Sequence, residues 1–141
     1  MEKRKNLPQA SQFTTINAEN KIKLPKEICD MLDIKEGTRF LVIADKPKSR
    51  ITLYPVILGK DKFAELNMKL MDIPGVLGKV ATELGKININ IESSIVHPSI
   101  KKISNFQAII NLTECKHSIV EIEERLRKLE NIIEAEIIPI E

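Results

Sequence analysis

The chain has 141 residues, 43% hydrophobic, 30% charged and only 4% aromatic, with 22 Lys plus Arg against 20 Asp plus Glu. That length holds one ordinary domain or two small ones. No apolar run reaches the roughly 20 residues of a membrane span, the charged stretch Met1–Asn6 lacks the apolar core of a secretory signal, and two cysteines cannot scaffold a disulfide-rich fold. A cytoplasmic protein with no membrane partner is therefore expected, with Cys29 and Cys115 reduced. Cys115-Lys116-His117 lacks the second cluster that a four-ligand zinc site needs, so no metal site and no cofactor is predicted.

Charge is uneven along the chain. Residues 1–57 carry eleven Lys/Arg and seven Asp/Glu, whereas residues 58–141 carry eleven and thirteen. The basic amino half implies an anionic partner. It opens with a basic arm over residues 1–10 containing Lys3, Arg4 and Lys5. Phe13-Thr14-Thr15-Ile16 then reads as a strand, Asn17 to Asn20 as a turn, and Lys21-Ile22-Lys23-Leu24 as a second strand. Pro25 suits the first position of a short helix with Ile28, Met31 and Leu32 on one face. Phe40–Ile43 and Arg50–Tyr54 read as two further strands around a turn at Asp45–Ser49, and Pro55 closes the last. A module of this size, over residues 11–57, is too small to bury a core alone. With disulfides and metal set aside, a dimer follows by elimination.

The residues Asn20-Lys21-Ile22-Lys23-Leu24-Pro25-Lys26-Glu27-Ile28, then Leu32 and Ile34-Lys35-Glu36-Gly37, resemble the AbrB/MazE-type DNA-binding domain. The resemblance implies a swapped-hairpin dimer whose strands intertwine into one β-barrel, and double-stranded DNA as partner. Carried over position by position, it implicates Thr15, Lys21, Lys23 and Lys26 as DNA contacts, with Lys3, Arg4 and Lys5 as an accessory cationic arm. Cys29 and Asp30 depart from that pattern, standing where DNA-binding members are often basic.

After a linker at residues 58–62 the pattern changes. Phe63–Met71 reads as a strand and Asp72–Gly75 as a turn, with Asp72 able to cap the next helix. Val76, Leu77, Val80, Ala81 and Leu84 have helical spacing, with Gly85 as the stop. Ile87, Ile89 and Ile91 alternate as a strand, Pro98–Asn105 reads as a loop, and Phe106–Leu112 as another strand. Ser118 and Glu121 form a capping box for a helix lined by Ile119, Ile122, Leu126 and Leu129, and Ile132–Ile140 closes as a strand. The order βαββαβ is ferredoxin-like, so the expected class is α+β.

Asp72-x-Pro74-Gly75-Val76-Leu77, Leu84 and Ile89-Asn90-Ile91 resemble the ACT domain over residues 63–141. The resemblance implies paired domains that bind an amino acid at their interface, at Asp72, Ile73, Gly75, Val76 and Leu77 and at Asn90 and Ile91. Independently, a helix start offers unpaired N–H groups to a carboxylate, Asp72 can accept from an ammonium, and Asn90 can donate and accept. The same residues also serve as cap, turn and edge groups. No catalytic residues are predicted: His97 and His117 fall at a loop and a helix start, with no nucleophile–base arrangement. The expected function is a DNA-binding transcriptional regulator modulated by a small-molecule effector, as a homodimer or homotetramer. The alternatives are a regulatory subunit of an amino-acid biosynthetic enzyme and an antitoxin-like protein whose ACT unit is an oligomerisation scaffold.

Overall fold

A computed structural model describes residues 8–56, 61–98 and 101–141. The chain divides into two compact units, Met1–Leu58 and Gly59–Glu141. Lys3, Arg4 and Lys5 lie outside the described residues.

The first unit contains helix α1 (Lys26–Met31) and an antiparallel pair, β1 (Arg39–Asp45) and β2 (Arg50–Val56). Pro25 is the N-cap of α1 rather than its first residue: its ψ of 140 is extended, and its carbonyl accepts from the N–H groups of Ile28 and Cys29, each at 3.1 Å. The helix stops after six residues because Asp33 turns left-handed at φ 53 and Ile34 N–H donates back to Cys29 at 2.8 Å. This is the 6→1 bond of a Schellman ending. Pro55 does not close β2; it pairs with Phe40 inside the ladder, a position an edge strand tolerates.

The two strands expected before α1 are not formed. Asn17 does organise a turn: its N–H donates to Lys21 O at 2.9 Å and its side-chain oxygen accepts from Glu19 N–H and Lys21 N–H. Thr14 Oγ1 also donates to Lys23 O at 2.8 Å. Among the described residues no ladder extends beyond these bonds and no barrel is formed. The physical reason is the missing core. Among the described residues of this unit no apolar side chain is buried, and Asp45 alone is. Phe13 is fully exposed and Ile16, Val42 and Ile51 are mostly exposed, so the strand-forming segments have no apolar surface to lie on.

The second unit runs β3 (Phe63–Met71), α2 (Val76–Lys86), β4 (Asn90–Pro98), β5 (Ile103–Asn111), α3 (Ile119–Arg127) and β6 (Ile132–Pro139). Its sheet has order β4-β5-β3-β6 with every neighbouring pair antiparallel, the ferredoxin-like βαββαβ arrangement. Ala64, Leu66, Met68 and Leu70 of β3 and Phe106, Ala108 and Ile110 of β5 form one core with Val80 and Leu84 of α2 and Ile122 and Leu126 of α3. The opposite sheet face is polar across its centre, with Asn67 and Lys69, Asn105 and Gln107, and Glu134 and Glu136 aligned by register.

Three details correct the sequence reading. Gly85 lies inside α2, which runs on to Lys86; the chain reverses instead at Asn88, with φ 60. Ile87 and Ile89 are buried, but they precede β4 rather than belong to it. The segment read as a loop from Pro98 is shorter, because β4 reaches Pro98 and β5 starts at Ile103, so Ser104 and Asn105 are strand residues.

Candidate functional site

The β3–α2 turn is fixed by backbone bonds. Met71 N–H donates to Asn131 O at 2.9 Å, Asp72 N–H to Lys102 O at 2.6 Å, and Ile73 N–H to Met71 O at 2.9 Å. Gly75 then adopts φ 91, a left-handed conformation that glycine enters at no steric cost. It is the N-cap of α2, and no side chain caps this helix. Asp72 is therefore not the cap. Its main chain anchors the turn while its carboxylate stays exposed. The first-turn N–H groups of α2 lack intrahelical partners by geometry and lie beside that carboxylate in sequence. Gly75 leaves open space where a Cβ would stand. Ile73 and Leu77 are partly exposed at the same turn, while Val76 is buried in the core.

Asn90 and Ile91 sit elsewhere. Asn90 pairs with Asn111 at the start of β4, whereas Met71, just before Asp72, pairs with Ile103 at the other end of β5. From Ile103 to Asn111 is roughly 26 Å at about 3.3 Å per strand residue. The two halves of the expected ligand site thus lie at opposite ends of one sheet. Sequence spacing had grouped them because strand order and direction are not visible in a motif.

The two sheet edges also differ. On β6, Ile137 N–H donates to Glu123 Oε2 at 2.9 Å and Ala135 O accepts from Arg127 Nη2 at 2.9 Å. Side chains of α3 therefore occupy the backbone groups of that edge. On β4, no such side chain is found among the described residues.

In the first unit, Thr15, Lys21, Lys23 and Lys26 are all exposed. Lys21 is partly neutralised by Glu19, at 3.0 Å. Lys26 is the first residue of α1, where the positive end of the helix dipole disfavours a cation. Its placement there does nothing for the helix itself. A feature the sequence reading left unassigned is the β1–β2 turn, where Lys46, Lys48 and Arg50 are exposed together. Their local charge density was the available signal.

The histidines form no catalytic arrangement. His97 is an exposed residue of β4. His117 Nδ1 lies 2.9 Å from Glu121 Oε2, and Ser118 Oγ donates to Glu121 Oε1 at 3.1 Å. Both therefore converge on the Glu121 carboxylate, and the imidazole bonds to that carboxylate rather than to the hydroxyl. These hydrogen bonds, from His117 first and then Ser118, lower the Glu121 pKa below the ordinary carboxylate value. Among the described residues, no group of three or more His, Cys, Asp or Glu side chains is placed to hold a metal. None of their helices is long and apolar enough to cross a membrane.

Comparison with known proteins bears on the second unit. Residues 64–131 match the family model described as the ACT domain. No curated protein matches the chain. Among solved structures, the ACT domain from GTP pyrophosphokinase of Chlorobium tepidum is 18% identical with a TM-score of 0.44, covering 55% of this chain and 99% of that one. A homoserine dehydrogenase from Thiobacillus denitrificans is 14% identical with a TM-score of 0.47, covering 67% of this chain but 21% of that one. The C-terminal domain of the MgtC protein from Mycobacterium tuberculosis is 10% identical with a TM-score of 0.47, covering 61% and 95%. With the βαββαβ order and the glycine-hinged β3–α2 turn already in place, the family match concludes the matter for this unit: residues 64–131 are an ACT domain.

Proposed function

We propose that the chain is a regulator in which the ACT unit binds an amino acid or related zwitterion between two copies and thereby modulates DNA binding by the first unit. The observation that carries the ligand reading is the separation of the two half-sites. If β4 pairs antiparallel with its twin about a two-fold axis near Ser94, Asn90 of the second copy comes opposite Pro98 of the first. Pro98 aligns with Ser104 and Ser104 with Leu70, beside the turn that Asp72 ties to Lys102. Pairing then brings the carboxamide of one copy to the same end of the joined sheet as the carboxylate and the α2 start of the other. An α-amino acid presents a carboxylate to the helix N–H groups and an ammonium to Asp72.

The edge chemistry favours this pairing. Glu123 and Arg127 occupy β6, leaving β4 as the edge open to strand addition. Stacking the outer sheet faces would desolvate Lys69, Glu134 and Glu136, at a cost the polar face cannot recover.

The DNA reading rests on the first unit. Its exposed cations and its lack of a single-chain core both fit the intertwined barrel that the AbrB/MazE-type pattern implies, since a second copy would cover Phe13, Ile16, Val42 and Ile51. Calorimetry with a panel of α-amino acids, followed by duplex titration with and without the best ligand, tests both parts. A ligand that binds and shifts duplex affinity supports the proposal. Ligand binding without any duplex affinity would favour the regulatory-subunit alternative.

A further inference from the structure

The β1–β2 hairpin ends in Asp45-Lys46-Pro47-Lys48-Ser49-Arg50. Asp45 and Arg50 are the last register pair, so two lysines and an arginine crowd onto one tip. The turn is built, not loose. Asp45, 8% exposed, accepts from Lys48 N–H through Oδ1 at 3.2 Å, and Ser49 N–H donates to Lys46 O at 3.1 Å. Ser49 takes a left-handed φ of 50, which re-aims the chain into β2. Pro47 fixes its own φ and lowers the entropy of the free turn.

Asp45 thus uses its carboxylate on the backbone of the turn. None of the three cations forms an ion pair among the described residues, in contrast to Lys21, which Glu19 holds at 3.0 Å. Three cations within five residues, with no ion pair among the described residues, repel one another at a cost in stability. Such a cost is recovered when a polyanion supplies the counter-charge and its condensed counterions are released.

We infer that the β1–β2 tip is a second phosphate-contacting element for duplex DNA, in which Lys46, Lys48 and Arg50 grip the backbone independently of base sequence. The inference rests on the DNA reading above and adds to it a contact outside the Thr15–Lys26 region. Contacts of this kind position a protein on the duplex and carry no sequence information. The tip accordingly supplies affinity where Cys29 and Asp30 of α1 bring no positive charge.

The test titrates the full chain and its variants into one labelled duplex across about 50 to 200 mM salt. K46A/K48A is expected to keep or slightly raise the wild-type melting temperature, because both side chains are exposed and their mutual repulsion is removed, and to weaken binding similarly for duplexes of different sequence. Its plot of log affinity against log salt should be shallower by about 1.8 per copy, at about 0.9 for each phosphate that is no longer neutralised. K46R/K48R, which keeps the charge, should retain the wild-type slope. If K46A/K48A keeps the wild-type slope and affinity while K21A/K23A reduces both, the tip does not touch the duplex and the DNA reading stands. If the wild-type chain shows no salt-dependent duplex binding, the DNA reading fails and this inference falls with it.

Discussion

Glu123 Oε2 accepts the N–H of Ile137 at 2.9 Å, across the outer edge of the last strand of the ACT sheet. Four residues along α3, Arg127 donates to Ala135 O on the same edge, and the two side chains approach each other at 3.9 Å. An ion pair on a helix surface contributes little by itself. Here it also satisfies a strand edge that would otherwise recruit another chain. E123A is expected to destabilise the ACT unit by about 1.5–3 kcal/mol, the range for a hydrogen bond to a charged group, measured by urea denaturation. E123A/R127A should in addition associate beyond the wild-type assembly as concentration rises, measured by light scattering. Unchanged scattering would show that the edge needs no guard.

In the proposed ligand site, Asp72 should separate binding from folding. Its carboxylate is exposed and caps nothing, so D72N is expected to alter stability by no more than about 0.5 kcal/mol. Ligand affinity, measured by calorimetry, should fall about tenfold or more as a charge-assisted bond to the ammonium is removed, corresponding to about 1.4 kcal/mol. A destabilised D72N would return Asp72 to a structural role.

At Gly75 backbone conformation and the proposed binding are coupled. With open space around it but φ at 91, G75A carries no clash and only the left-handed backbone penalty, about 1–2 kcal/mol. G75V adds bulk in front of the helix start and should abolish the ligand-induced rise in melting temperature while leaving association of the first unit unchanged.

Acid should weaken the α3 start. Glu121 has a lowered pKa in the folded chain, mainly through His117 and then Ser118. Its contribution is therefore fully present above the ordinary carboxylate value and is lost as pH falls through the lower, folded value. E121Q should remove this component, so that the stability difference between wild type and E121Q shrinks as pH falls through that window. A difference that instead grew on acidification would contradict the assignment.

The ACT unit was legible because its strands and helices each carry a local signal strong enough to survive packing. Val80 and Leu84, Ile122 and Leu126 have helical spacing, and all four are buried. Ser118 does accept Glu121 N–H, at 3.2 Å, as the capping box predicts. The failures have physical causes. Asp72 resembled a cap, but the helix starts later, at Val76, and Gly75 takes the cap position. Asn90 resembled a neighbour of Asp72, but β5 intervenes and the strand direction carries it to the far end. Phe13–Ile16 has strand composition without a strand, because its apolar face meets nothing in one copy of the chain.

The same exposed residues give a stability prediction. I51S should change the stability of an isolated copy very little, since Ile51 is 72% exposed. If a second copy covers it, I51S should shift the dimer–monomer midpoint to higher concentration in analytical ultracentrifugation. L84A, by contrast, removes a fully buried ACT core side chain and should cost about 2–5 kcal/mol.

The most direct test of the shared site is complementation between two weakened chains, D72N and N90A, titrated at ligand concentrations where neither homodimer binds measurably. When the two are mixed and allowed to exchange, half-sites divided between copies predict that about one quarter of the sites become whole, since each mixed dimer pairs an intact Asp72 with an intact Asn90 once. Calorimetry on the mixture should then recover ligand binding at wild-type affinity with that reduced stoichiometry. If exchange is confirmed and no binding returns, the site is not assembled from two copies.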